Sequence, residues 1–207
     1  MTDRETGLAC HELLLRLAGR LPDEQLWRYR DWLSGDAADV VALSLPGVLL
    51  RERTGLDDAD HRLLADALLP LGADPAVVDS ILPGADSGTG GCTFTAEAPV
   101  GGSADSEVLV LGATLRGRPG IGEVRSSWRR RPGSNELRRV LLVSATTDFI
   151  ELTGEIQRIL RALGEPAPRV EVLPSDMEPT AYHRAALAES VLVCAGSEEL
   201  AVTAGRS

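Results

Sequence analysis

Residues 140–195 read VLLVSATTDFIELTGEIQRILRALGEPAPRVEVLPSDMEPTAYHRAALAESVLVCA, and the rhythm of this stretch decides the fold. Three short apolar runs, at 140–143, 170–173 and 191–194, have the length and β-branched content of buried strands. Between the first two, Ile150, Ile156, Ile159, Leu160 and Leu163 recur at helical spacing and stop at Gly164. Between the last two, Tyr182, Ala185, Ala186 and Leu187 do the same after Pro179. Strands separated by single helices predict right-handed crossovers and a parallel sheet. A further apolar run at 107–111 adds a fourth expected strand. Residues 107–207 are therefore expected to form a small Rossmann-like α/β domain with a mainly parallel sheet.

Upstream the pattern is helical throughout. Leu8, Leu13, Leu14, Leu15 and Leu17 outline one helix, and Leu26, Tyr29 and Leu33 a second that opens at Pro22 and closes at Gly35. Val40, Val41 and Leu43 begin a third, which Pro46 is expected to kink or interrupt. Asp57 caps a fourth, and the pair Asp74 and Pro75 reads as the cap and first residue of a short fifth. Residues 1–84 are expected to be a helical bundle. At 85–106 the composition turns to Gly, Ser, Ala, Asp and Pro, which predicts a mobile linker with one edge strand near Cys92, Phe94 and Ala96.

Composition narrows the function classes. The chain has 207 residues and a net charge of -10, and all 21 basic residues are Arg, a usage expected of a GC-rich bacterial genome. The acidity is confined to the first half, where 8 Arg face 18 Asp and Glu, whereas residues 107–207 carry 13 of each sign. An acidic surface repels nucleic acid and anionic lipid and favours basic protein partners. No apolar run nears the roughly 20 residues of a membrane span. Cys10, Cys92 and Cys194 show no paired spacing, so free thiols and a cytoplasmic location are expected.

A parallel sheet places ligands outside the carboxyl ends of its strands. That geometry nominates Ser144, Thr146 and Asp148 after one strand, Ser175 and Asp176 after the next, and Cys194 and Ser197 after the last. Helix capping and turn formation are the competing roles for the same residues. Cys194 would need a base to act as a nucleophile, and His183, the sole histidine of this half, is expected on a helix surface. The glycines of residues 117–122 match no phosphate-loop pattern. Asp57, Asp58, Asp60 and His61 lack the spacing of a metal loop, so neither a metal nor a cofactor is expected.

The densest basic patch spans residues 125–139, where Arg125, Arg129, Arg130, Arg131, Arg138 and Arg139 surround Trp128. Guanidinium forks beside an indole suit an anion or an acidic protein surface. Pro132, Gly133 and Ser134 predict an exposed loop for it. With no complete catalytic motif, the expected function is a non-catalytic regulatory or adaptor protein that binds another protein and senses a small anionic ligand. The alternative is an enzyme or enzyme subunit acting on a small phosphorylated or nucleotide-like substrate at the strand ends. There Arg129, Arg130 and Arg131 would hold phosphate, Asp148 or Asp176 would act as base, and Cys194 or Ser144 as nucleophile.

Overall fold

A computed structural model describes residues 3–84, 88–99 and 104–196 of the chain, with the backbone alone at Ala104 and Asp105. It divides into two compact units, Met1–Gly90 and Gly91–Ser207.

The first unit is helical: α1 Arg4–Arg16, α2 Asp23–Ser34, α3 Ala38–Arg51, α4 Asp58–Leu68, a 3-10 turn Leu69–Leu71 and α5 Pro75–Asp79. Its starts follow the capping chemistry. The Asp57 carboxylate accepts from the amides of Ala59 and Asp60, and Asp74 accepts from Ala76 with Pro75 at the first helical position. Pro46 does not break α3, which continues five residues beyond it to Arg51. Leu13, Leu14, Leu17, Leu45, Leu49, Leu64 and Leu68 are fully buried and form the interior. At its margin Asp60 takes Arg20 at 2.6 Å and Arg16 at 3.3 Å, so this carboxylate bridges two guanidiniums. His61 is spent on the Val78 carbonyl at 3.1 Å. The unit closes where Leu56 pairs with Pro83, and the backbones of Gly55 and Gly84 approach so closely that a Cβ on Gly84 would stand 2.7 Å from the Gly55 carbonyl carbon.

The second unit runs β1 Thr93–Thr95, α6 Ala104–Leu115, β2 Ile121–Arg130, β3 Leu137–Ala145, α7 Phe149–Ala162, β4 Val170–Pro174, α8 Ala181–Ala188 and β5 Val191–Ala195. Three expectations are corrected here. The apolar run at 107–111 is not a strand but the middle of α6. Continued through Leu115, its buried positions Leu111, Gly112 and Leu115 recur at helical intervals, and the four apolar residues after Glu107 cannot distinguish the two periods by themselves. The basic patch is not a loop. Arg125, Trp128, Arg129 and Arg130 lie in β2, and Arg138 and Arg139 in β3, with only the short turn 131–136 between them.

The third correction concerns the sheet, which is mixed and mostly antiparallel. β3 and β4 are its one parallel pair among the described residues, joined by α7 as predicted. β2 pairs antiparallel with β3 on one side and with β5 on the other. Strands β3, β4 and β5 therefore do run in one direction, as the strand–helix rhythm implies. The long antiparallel β2 is wedged between β3 and β5 and takes every ladder that would have joined them. β1 shares the β5 side of β2, pairing residues 128–130 where β5 pairs 123–126.

Register sorts the side chains into two faces, because directly opposed residues of neighbouring strands point the same way. Val124, Leu141, Val143, Val170 and Val172 form one face, covered by Leu111 and Leu115 of α6 and by Leu152, Ile156 and Leu160 of α7. Arg125, Ser127, Arg129 and Glu171 lie on the other, beneath α8. The unit is thus a three-layered α/β/α sandwich with one apolar and one polar interlayer. No helix among the described residues is long and apolar enough to cross a membrane.

Candidate functional site

The described residues among those nominated at the strand carboxyl ends lie at one end of the sheet, where Ser144 and Thr146 hydrogen-bond to the backbone. The Ser144 hydroxyl accepts from the Glu123 amide at 2.7 Å and lies 2.5 Å from where a Cβ on Gly122 would be. Thr146 joins the Gly120 carbonyl through its amide at 2.8 Å, and the Ser175 amide donates to the Ala145 carbonyl at 2.9 Å. Asp148 begins α7 in the left-handed region, φ 55°, and its side chain caps no amide of that helix. Asp148, Ser175 and Asp176 are exposed. Ser197 lies outside the described residues.

Cys194 is buried in the apolar interlayer under α6 and α7. Burial pushes its thiol above the ordinary range, with Arg116 opposing in part. His183 belongs to α8 on the opposite face, so the sheet itself separates the two groups. His183 is not on the surface, as its helical setting suggested, but fully buried. Its Nε2 lies 3.3 Å from Glu171 Oε2 and its Nδ1 2.9 Å from the Thr180 hydroxyl. With Glu171 ionised, Nε2 carries the hydrogen and donates it. Next to this pair, Tyr182 packs edge-on against Phe94 of β1, and its hydroxyl accepts from buried Arg129 at 3.1 Å. The Ser127 hydroxyl donates to the Glu189 carbonyl at 2.6 Å, and Arg125 donates to Ser190 at 2.9 Å. α8 is therefore fastened to the sheet by polar contacts, which offset part of the cost of desolvating these groups.

This arrangement disperses the basic patch. Alternation along β2 sends Arg125 and Arg129 to the α8 face and Trp128 and Arg130 to the other, with Arg131 in the turn. Trp128 stays with one member of the patch, Arg139, its register partner on β3. The Arg139 guanidinium carbon stands 5.0 Å from the indole centroid, and its Nη1 donates to Glu107 of α6 at 3.1 Å. Stacking on one side and a carboxylate at the edge hold this cation in a single orientation.

Trp128 and Arg139 belong to the wall of a cleft of about 350 Å³ at the end of the sheet where β3 and β4 begin, opposite to the nominated end. Arg169, which precedes β4, and Glu165, four residues earlier, face each other at 3.5 Å across it. Arg138 and Glu136 pair at 2.8 Å at its mouth, and Pro99, Leu137 and Pro166 complete the lining. Sequence reasoning missed Glu107, Glu165 and Arg169. Glu165 and Arg169 were signalled by their spacing and by a charge placed directly before an apolar strand. Glu107 was hidden because its helix was read as a strand. No cluster of three or more histidine, cysteine or acidic side chains among the described residues is arranged to hold a metal ion.

Compared with known proteins, the chain matches no family model, no curated protein and no solved structure.

Proposed function

We propose that this chain is a non-catalytic regulatory or adaptor protein whose α/β unit senses a small ligand in the cleft beside Trp128, while its acidic helical unit meets a basic protein partner. The observation that carries the reading is the cleft itself. It sets an indole, two prolines and a leucine beside three arginines and three glutamates in one concavity, so that an apolar wall adjoins charged groups that can orient a ligand. The charge contrast between the halves supports the partner role, since a surface of one sign steers an oppositely charged protein toward it.

A thermal-shift screen of nucleotides, sugar phosphates, amino acids and organic acids tests the cleft. A ligand at about 100 times its dissociation constant adds roughly 2.7 kcal/mol and raises the melting temperature. The shift is expected for the wild type and lost in Trp128→Ala. A hit that survives Trp128→Ala but is lost in Asp148→Asn or Asp176→Asn would instead favour an enzyme of phosphorylated substrates working at the strand carboxyl ends.

A further inference from the structure

We infer that the outer face of α3 is a self-association surface, on which a second copy of this chain docks antiparallel about a two-fold axis. The inference is independent of the cleft and concerns the helical unit alone. Its first support is where apolar side chains are left. Singly exposed leucines are ordinary on a protein surface, but α3 carries three apolar side chains and a hollow on one line. Val40 is 37% and Leu43 69% exposed, Leu50 is half-buried, and Gly47 between them is exposed. Positions 40, 43, 47 and 50 advance by three, four and three residues, the spacing of a seam between packed helices. A Cβ built on Gly47 would meet nothing within 4 Å, so the glycine is a hollow open to the outside and not a close approach within the unit.

Self-complementarity is the second support, and it selects the occupant. Across a two-fold axis every contact is made twice, each residue meeting on the other copy the residue that meets its own equivalent. With the axis beside Leu45, antiparallel helices bring Leu43 of each copy into the hollow at Gly47 of the other and set Val40 level with Leu50. The same operation sets exposed Asp39 level with exposed Arg51. These two lie about 9 Å to either side of Leu45 along the helix and flank the stripe, within reach of the long guanidinium arm. Parallel pairing would oppose Asp39 to Asp39 and Arg51 to Arg51, and would face each hollow with another hollow. The stripe is neutral within a strongly acidic half of the chain, so two copies meet here with least repulsion, whereas a basic partner is drawn to the acidic remainder. A single helix face is smaller than the roughly 800 Å² per partner of a standard interface, so the dimer is weak and concentration-dependent.

Sedimentation velocity of the full chain from about 5 µM to about 1 mM tests this. The wild type is expected to move from the monomer mass toward twice that mass. Leu43→Glu should hold it at the monomer throughout with unchanged circular dichroism, because this side chain is mostly exposed in the monomer. Gly47→Leu should also remove the dimer by filling the hollow, while the melting temperature of the dilute monomer stays the same or rises, since a helix interior favours Leu over Gly. Asp39→Arg and Arg51→Asp should each weaken the dimer several-fold, and the two together should restore it, because the exchange rebuilds both ion pairs across the axis. A chain that stays monomeric at about 1 mM, or a dimer that survives Leu43→Glu or Gly47→Leu, would overturn the surface. Loss of the dimer in both of those variants with no recovery in the double charge exchange would overturn the antiparallel docking.

Discussion

At the scale of single residues, the buried polar groups are where the chain is most easily damaged. Replacing Glu171 by Leu leaves the buried Nε2–H of His183 without this acceptor, at a cost of about 1–3 kcal/mol. A lowered urea midpoint with an unchanged slope is the expected result. The thiols behave in the opposite sense, as inert filling. Burial pushes Cys10 up to about 12, so the folded protein keeps this proton where the unfolded chain gives it up. Stability from this group is therefore intact below about pH 9, and falls by up to about 1.4 kcal/mol per pH unit as pH rises from there toward 12. Alkylation of Cys10 at pH 8 should be slow in native protein and fast in urea, which mass spectrometry of the modified peptides reads directly. Residue chemistry was partly legible in the sequence. The caps at Asp57 and Asp74 followed from local hydrogen-bonding rules, whereas the burial of His183 and Arg129 did not, because only the pairing of β2 with β1 and β3 creates the polar interlayer that accepts them.

At the scale of elements, β2 determines the architecture, and it is the element that sequence reading did not find. Its ten residues contain four charged side chains and two serines, and Glu123, Arg125, Ser127 and Arg129 fall on alternating positions, a pattern that resembles a solvated segment unless a second layer covers the polar face. The helices α7 and α8 and the strands β3, β4 and β5 were legible because apolar periodicity is local. The antiparallel insertion of β2 between β3 and β5 was not, since it is a property of long-range pairing. Hydrogen exchange tests this order. Amides of β2 at 124–126, bonded between two strands, should exchange most slowly in the sheet, and those of β4 and β5, each paired on one side among the described residues, markedly faster. A second test uses close approach. A Cβ on Gly196 would stand 1.6 Å from the Ile121 carbonyl oxygen, so Gly196→Ala must displace the end of β5 from β2 and should be destabilising by more than the usual ~1 kcal/mol of a point change.

At the scale of the whole molecule, each of the two units has its own apolar interior, with the leucines of α1, α3 and α4 in one and the α6–α7 face of the sheet in the other. The change of composition near residue 85 lies close to where the two units part, and the short strand Thr93–Thr95 lies within the stretch read as a linker with one edge strand. Fragments 1–90 and 91–207 should each give a cooperative melt when expressed alone; a fragment that stays unfolded would mean that the units depend on one another. Function divides along the same lines in this account, with the ligand at the amino end of β3 and β4 and not at the opposite rim. The most direct measurement is a nitrogen–proton NMR titration with whichever compound the thermal-shift screen identifies. The account predicts that the Trp128 indole N–H and the amides of Leu137, Arg138, Arg139 and Arg169 move together and saturate, while those of Trp27 and Trp32 stay still. Shifts gathered at Gly120, Thr146, Asp148 and Ser175, with Trp128 unmoved, would contradict it.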